Sequence, residues 1–232
     1  MRARIEKGQE ERIAFFNGLI EEAVARLERC KIMLGEGKTA DVCVVDQESS
    51  ICLKTVIKSR IKENRISLRN GVNDEIEFLD KLSDREFLKS IGIDRKIVPS
   101  PLFSKQDAKY GFLFMENIKG PSLKDVIDRK DDLYKLPGSD FDWDAFFSGL
   151  DDIVAKLHKA GIYHRDLHAG NIMIENGLPV IIDFGNAYES YLSDENPYEE
   201  EGPTGTTIYS SDEKNIEDAK KQIIELYKTQ TQ

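Results

Sequence analysis

Two short stretches hold side chains suited to moving a proton and holding a cation. These are His164-Arg165-Asp166-Leu167-His168-Ala169-Gly170-Asn171 and, eleven residues after Asn171, Ile182-Asp183-Phe184-Gly185. A carboxylate such as Asp166 can orient a hydroxyl and take its proton. An amide oxygen five residues later, at Asn171, and a second carboxylate, at Asp183, can hold a divalent cation between them. A base flanked by cation ligands suits phosphoryl transfer, which asks a protein mainly to position groups and neutralise charge. His164 and His168 have the spacing of the metal pair in H-E-x-x-H, but the glutamate and the helix that this pair needs are missing.

Such a site needs phosphate contacts upstream. In Leu34-Gly35-Glu36-Gly37-Lys38-Thr39-Ala40-Asp41-Val42 two glycines lack a Cβ, so a turn between two strands can bring its amides onto phosphate oxygens. The expected contacts are Gly35, Glu36, Gly37, Lys38, Thr39, Ala40 and Val42. A P-loop is the rival reading, since Gly37-Lys38-Thr39 matches its end. Ile32 stands where its first glycine belongs, however, and a helix replaces the preceding strand. A strand over 50–56 presents Lys54 among apolar neighbours, where an ammonium can reach α and β phosphate oxygens. A helix over 73–82 follows, with Asn73 as N-cap and Ile76, Leu79 and Leu82 on one face. It carries Glu75, the expected partner of Lys54, with Glu77 as second candidate.

Further strands are expected at 97–103 and 110–115, the second leading into Glu116-Asn117-Ile118. Gly120-Pro121 punctuates the chain there, so 116–118 reads as a hinge whose backbone can meet an adenine edge. This divides the catalytic domain into 34–116 and 117–232. A helix over 141–160, with Phe146, Leu150, Ile153, Val154 and Leu157 apolar and Trp143 and Phe147 added to its core, ends at Gly161. A hairpin over 171–174 and 180–182 turns at Glu175-Asn176-Gly177. Between Asp183 and Glu213 the chain is acidic and carries Pro197, Gly202-Pro203 and Gly205, which reads as a mobile or partner-ordered loop. A last helix over 212–228 has Ile216, Ala219, Ile223, Ile224 and Tyr227 to bury. Residues 1–33 form an amphipathic helical segment, with Ile13, Phe16, Ile20 and Leu27 at spacings of three and four, for packing on the domain or docking a partner.

Composition narrows the function classes. No apolar run among the 232 residues approaches the roughly 20 of a membrane span, and the N-terminus lacks a signal's apolar core. The expected location is the cytoplasm, or a host cytosol for a secreted effector. Cys30, Cys43 and Cys52 have no metal-ligand spacing and make no disulfide framework. A net charge of −10 argues against nucleic acid as a partner, because phosphate backbones are held by basic patches.

Six stretches in order resemble the eukaryotic-type protein kinase superfamily. They are the glycine-rich turn at 35–42, I-C-L-K at Lys54, E-I-E-F-L-D-K-L with Glu75, F-M-E-N-I-K-G-P-S-L, H-R-D-L-H-A-G-N and I-D-F-G. The resemblance implies an α+β, bilobal fold. A β-rich N-lobe and a reduced helical C-lobe lacking the elements after helix F would carry an extra N-terminal helix. It implies ATP with magnesium, or manganese, as cofactors. Asp166 would be the base, Asn171 and Asp183 the metal ligands, Lys54 the phosphate anchor paired with Glu75, Met115 the gatekeeper, and Glu116 and Ile118 the hinge contacts. Arg165 would engage negative charge on the activation segment. Glu199-Glu200-Glu201 would supply it, or phosphorylation at Thr204, Thr206, Thr207, Ser210 or Ser211.

Two departures bear on the acceptor. His168 stands where serine/threonine kinases carry lysine, and D-L-H-x-G-N is common in antibiotic phosphotransferases. Gly205 to Glu213 resembles the G-T-x-x-Y-x-x-P-E that closes a protein kinase's activation segment, with Asp212 for proline, which favours a protein substrate. Ending soon after Glu213, the chain looks like compact bacterial effector kinases of the OspG and NleH kind, RIO kinases, or the small kinase of the KEOPS complex. The comparison implies that Glu213 lacks its usual arginine. It also implies that a partner protein, a second copy or the N-terminal helix covers the shortened lobe. The expected activity is a minimal serine/threonine protein kinase. The alternatives are a small-molecule kinase and a nucleotide-binding scaffold or ATPase acting through a partner.

Overall fold

By its contacts the chain divides into one unit of Met1–Ser67 with Pro101–Asn117 and another of Leu68–Ser100 with Ile118–Gln232. The structure, a computed structural model, describes residues 2–26, 33–36, 40–44, 50–57, 72–129, 135–190, 196–202, 205–208 and 210–228. Residues 68–100, with the helix that carries Glu75, thus group with the second unit, and the N-terminal helix with the first. The whole is a mixed α+β, kinase-like fold, with a β-rich first unit and a largely helical second.

In the first unit α1 (Arg2–Arg26) precedes β1 (Met33–Glu36), β2 (Ala40–Val44), β3 (Ile51–Ile57), β4 (Pro101–Gln106) and β5 (Tyr110–Glu116). The strands form one antiparallel sheet in the order β1-β2-β3-β5-β4, so β3 is central. Side chains alternate across a strand, and the pairs Leu53↔Phe114 and Thr55↔Phe112 therefore share a face. Onto that face α1 lays Phe16 and Ile20, which join Leu53, Phe112 and Phe114 in one buried cluster. Phe16 stacks on Phe103 at 5.0 Å, and Arg12 donates to the Leu102 carbonyl at 2.7 Å. Phe16 and Ile20 of the α1 stripe thus pack on the unit's own sheet, whereas Leu27 lies outside the described residues and Ile13 is 47% exposed. In that turn it is Arg12 that reaches the sheet.

The strand expected from residue 97 begins at Pro101. Pro99 has no N–H for a ladder, and the Ile97 carbonyl instead accepts from Ile181 N at 2.8 Å.

The second unit contains α2 (Val72–Ser83), α3 (Arg85–Ser90), α4 (Leu123–Ile127), α5 (Trp143–Lys159) and α6 (Asp212–Lys228). Its paired strands are β6 (Ile162–Tyr163) with β9 (Tyr188–Glu189), β7 (Ile172–Glu175) with β8 (Leu178–Ile181), and β10 (Glu199–Gly202) with β11 (Gly205–Ile208). Asn73 lies inside α2 and does not cap it, since the helix already begins at Val72. The sequence pattern did not announce α3, which Asp84 caps by accepting from Glu86 N at 2.8 Å. A reciprocal capping box of Ser122 and Asp125 starts α4. Asp142 caps α5, leaving Phe141 outside, and the helix buries Phe146, Phe147, Leu150, Ile153, Val154 and Leu157. Ile216, Ala219 and Ile223 of α6 are buried, whereas Ile224 is exposed. The acidic segment after Asp183 is not a bare loop, because it contributes β9 and the β10–β11 hairpin. No helix among the described residues is long and apolar enough to cross a membrane.

Candidate active site

Strand register gathers the candidates of the first unit. Val42 lies opposite Lys54, Lys54 opposite Leu113, and Cys52 opposite Met115, so Ala40, Val42, Lys54 and Met115 share the sheet face away from α1. Lys54 and Met115 are buried. Gly35 and Glu36 end β1 opposite Val42 and Asp41, and Gly37, Lys38 and Thr39 lie outside the described residues. The elements on either side of those residues, β1 and β2, are antiparallel strands, whereas a P-loop runs from a strand into a helix. At the end of β5 the Glu116 carbonyl accepts from Cys52 Sγ at 3.6 Å, and Asn117 N donates to the Ser50 carbonyl at 2.7 Å.

In the second unit Ile118 is buried, and Gly120 presses so close to β7 that a Cβ would sit 1.8 Å from the Ile174 carbonyl oxygen. Glu75, on α2, is also buried. The same helix stacks Phe78 on Phe184 at 6.3 Å.

The loop holding Asp166 hangs from a residue far along the chain. Asp212, at the start of α6 and 1% exposed, accepts His164 N at 2.9 Å through Oδ2 and Arg165 N at 3.0 Å through Oδ1. His158 Nε2 lies 3.0 Å from Oδ2. A buried carboxylate needs such donors, and the helix N-terminus favours its charge. Tyr198 completes the cluster, with its hydroxyl 3.3 Å from His158 Nε2 and accepting from Asp212 N. Burial pushes the Tyr198 phenol up from its ordinary value.

His164 is buried, bonds the Ile182 carbonyl through Nε2 at 2.9 Å and meets the Phe184 ring edge-on at 4.7 Å. Burial pulls its imidazole below the ordinary range and keeps it neutral. Arg165 has φ of 65° and Asp183 φ of 63°, so two of the four non-glycine residues with positive φ among the described residues lie next to Asp166 and within the second motif. The Arg165 side chain is held by the Pro197 carbonyl and by the Tyr188 ring, 4.0 Å from the guanidinium.

Around Asp166 the polar groups converge. Asn171 is buried, and its Nδ2 donates to the Asp166 backbone carbonyl at 2.8 Å, leaving its amide oxygen as the available donor to a cation. Asn186 Nδ2 donates to Asp166 Oδ2 at 3.2 Å. Burial raises the Asp166 carboxyl above its ordinary value, against the opposing pull of His168 and His164. Asp183 Oδ1 accepts from Gly185 N at 3.3 Å. No group of three or more His, Cys, Asp or Glu among the described residues is placed to hold a metal. One amide and one carboxylate nevertheless fit magnesium, which is usually held by one or two protein oxygens together with substrate phosphates. His168 faces the same carboxylate, its Nε2 3.9 Å from Asp166 Oδ1, while its Nδ1 accepts from Gly170 N at 3.0 Å.

The profile of the protein kinase domain family matches residues 29–222. The chain belongs to this family. It is similar to the EKC/KEOPS complex subunit BUD32 of Yarrowia lipolytica, 33% identical over 133 residues covering 49% of this chain and 50% of the relative. A probable bifunctional tRNA threonylcarbamoyladenosine biosynthesis protein of Methanosphaera stadtmanae is 25% identical over 161 residues, 68% of this chain and 27% of the relative. The probable serine/threonine-protein kinase PknB of Bifidobacterium longum is 34% identical over 105 residues, 44% of this chain and 14% of the relative. The chain spans about half or less of the length of these relatives. A kinase domain of this family generally uses ATP and a divalent metal.

Sequence reasoning missed two residues of this kinase domain. Asp212 read as the start of the last helix and as a substitute for proline, and its buried anchoring of the 164–165 backbone went unread. Asn186, three residues after Asp183, had no spacing rule to announce it. Glu213, expected to lack its usual arginine, has Oε1 at 2.9 Å from His158 Nδ1.

Proposed function

We propose that this kinase domain transfers the γ-phosphoryl of ATP to a serine or threonine hydroxyl on a protein, working as one subunit of a larger assembly. Asp166 is the base, and Asn171 and Asp183 hold magnesium, or manganese. Lys54 anchors the phosphates and pairs with Glu75, under the glycine-rich turn at 35–42. Met115 gates the adenine site, and the backbone of Glu116 and Ile118 meets the base. Arg165 ties the segment after Asp183 to the loop. Support for the reading comes from the convergence of Asn171 and Asn186 on Asp166, whose backbone carbonyl and Oδ2 accept from the two amides. Relatives named as serine/threonine kinases support a protein hydroxyl as acceptor, and relatives named as KEOPS subunits support an assembly.

The D-L-H-x-G-N form does not by itself call for a small-molecule acceptor. His168 caps the 3-10 turn at Ala169–Asn171, and Gly170 is the residue that lets the ring approach, since a Cβ there would lie 2.9 Å from His168 Cε1. A second reading, ATP hydrolysis in the service of a partner, draws on the relatives named for tRNA threonylcarbamoyladenosine biosynthesis.

The test is incubation of wild type and Asp166→Asn with γ-labelled ATP and magnesium. Label is read in the chain itself, in casein, in a small-molecule panel and in released phosphate. The expected result is label in protein, reduced about 10²- to 10⁴-fold in Asp166→Asn. Undiminished labelling in the variant would falsify the assigned base, and label found in phosphate alone would favour the hydrolytic reading.

A further inference from the structure

We infer that Asn186 is a positioning residue for the catalytic base: its amide holds Oδ2 of Asp166 and leaves Oδ1 to take the proton of the incoming hydroxyl. The inference rests on the phosphoryl transfer proposed above and adds to it which carboxylate oxygen acts, and why.

The torsion that turns a carboxylate about its own bond is broad and two-fold, so its two oxygens are interchangeable unless a neighbour distinguishes them. The Asp166 side chain is 41% exposed, and its distinguishing neighbour is Asn186. That amide does not sit on a free loop. It ends the 3-10 turn Phe184–Asn186, whose Phe184 is fully buried between Phe78 of α2 and the His164 ring, and the Ala187 N–H closes the turn onto the Phe184 carbonyl at 3.0 Å. A donor fixed to a packed element holds its acceptor in place with little conformational freedom left to lose.

The other oxygen is in a different position. Oδ1 has no hydrogen bond among the described residues, and the facing group is His168 Nε2 at 3.9 Å, beyond hydrogen-bond reach. The His168 ring is itself fixed, because its Nδ1 accepts the Gly170 N–H; in the neutral ring the proton therefore sits on Nε2. A hydroxyl oxygen beside this pair reaches Oδ1 and Nε2 at roughly 2.8 Å each. In the step that follows, the hydroxyl proton passes to Oδ1 as its oxygen bonds to the γ-phosphorus of ATP. The bond from that phosphorus to the bridging oxygen breaks, and its electron pair leaves on ADP.

Three measurements test this. Asn186→Leu removes the donor at similar volume, and Asn186→Asp replaces it with a repelling carboxylate. Both should lower kcat for casein labelling tenfold to a hundredfold. The KM for ATP should stay within about twofold, because the base and not the nucleotide site is disturbed. On an Asp166→Ala background, Asn186→Leu should cost less than about twofold further, since a residue acting through Asp166 has nothing left to position. The third measurement needs no turnover: the side-chain amide resonance of Asn186 should move when Asp166→Ala is introduced. Wild-type kcat in both Asn186 variants, alongside a strong loss in Asp166→Asn, overturns the inference and leaves the proposed function standing. An unmoved amide resonance overturns it whatever the activity. Absence of transfer in the wild type itself overturns the proposed function, and the resonance then decides the Asn186–Asp166 contact alone.

Discussion

The two units hold their candidate residues by different means. In the first, Ala40, Val42, Lys54 and Met115 share a face because strand register puts them there, and the opposite face is fastened by α1. In the second, the loop around Asp166 has little regular structure and is suspended from hydrogen bonds, above all those that its backbone donates to Asp212. A register needs only alternation over a few neighbouring residues, whereas a suspended loop needs a buried polar anchor brought from elsewhere in the chain. The first arrangement should tolerate changes at single side chains, and the second should fail at one.

Asp212→Ala should show the largest effect, because it strands two buried N–H donors at about 1–3 kcal/mol each. Denaturant unfolding should show that loss, and transfer to casein should fall at least as far as in Asp166→Asn. A variant with wild-type midpoint and turnover would break the contrast. Next comes Phe16→Ala, which empties the α1–sheet contact at a cost of about 3 kcal/mol. Hydrogen exchange should accelerate in β4 and β5 while the amides of α5 keep their protection.

The third effect appears on acidification. Below about pH 6.5 the unfolded chain takes up a proton that the buried, neutral His164 refuses. Stability is therefore present above that pH and lost as pH falls through the window below it. His164→Phe should flatten that part of the stability–pH curve. The smallest effect is that of Tyr198→Phe, about 1 kcal/mol at neutral pH for the lost hydroxyl contacts. The Tyr198 phenol is raised by burial, so wild type keeps this contribution below about pH 10 and loses it above, as the unfolded chain ionises first. The variant should lose less stability on that side, as read by thermal unfolding at successive pH values.

Much of the fold was legible from local pattern. The helix over 212–228 was readable end to end, and so was the hairpin turn at Asn176-Gly177, where both residues have positive φ. Gly161 likewise ended its helix with φ of +78°. Periodicity did not show where a stripe stops being covered, so Ile13 was counted with Phe16 and Ile20, and 97–100 was read as strand although it lies outside the β4–β5 ladder, which begins at Pro101.

By itself the sequence determined the chemistry on offer: a carboxylate, an amide and a second carboxylate at short, characteristic spacings, and a lysine on a strand. Such chemistry restricts both residue type and separation within a loop, and those are visible in one dimension. Only the tertiary structure decided what holds the loop. Asp212 lies 48 residues from His164, and Asn186 lies 20 from Asp166, with no periodicity connecting either pair. Burying a loop's backbone donors requires an acceptor, and which residue supplies it depends on how the chain returns on itself.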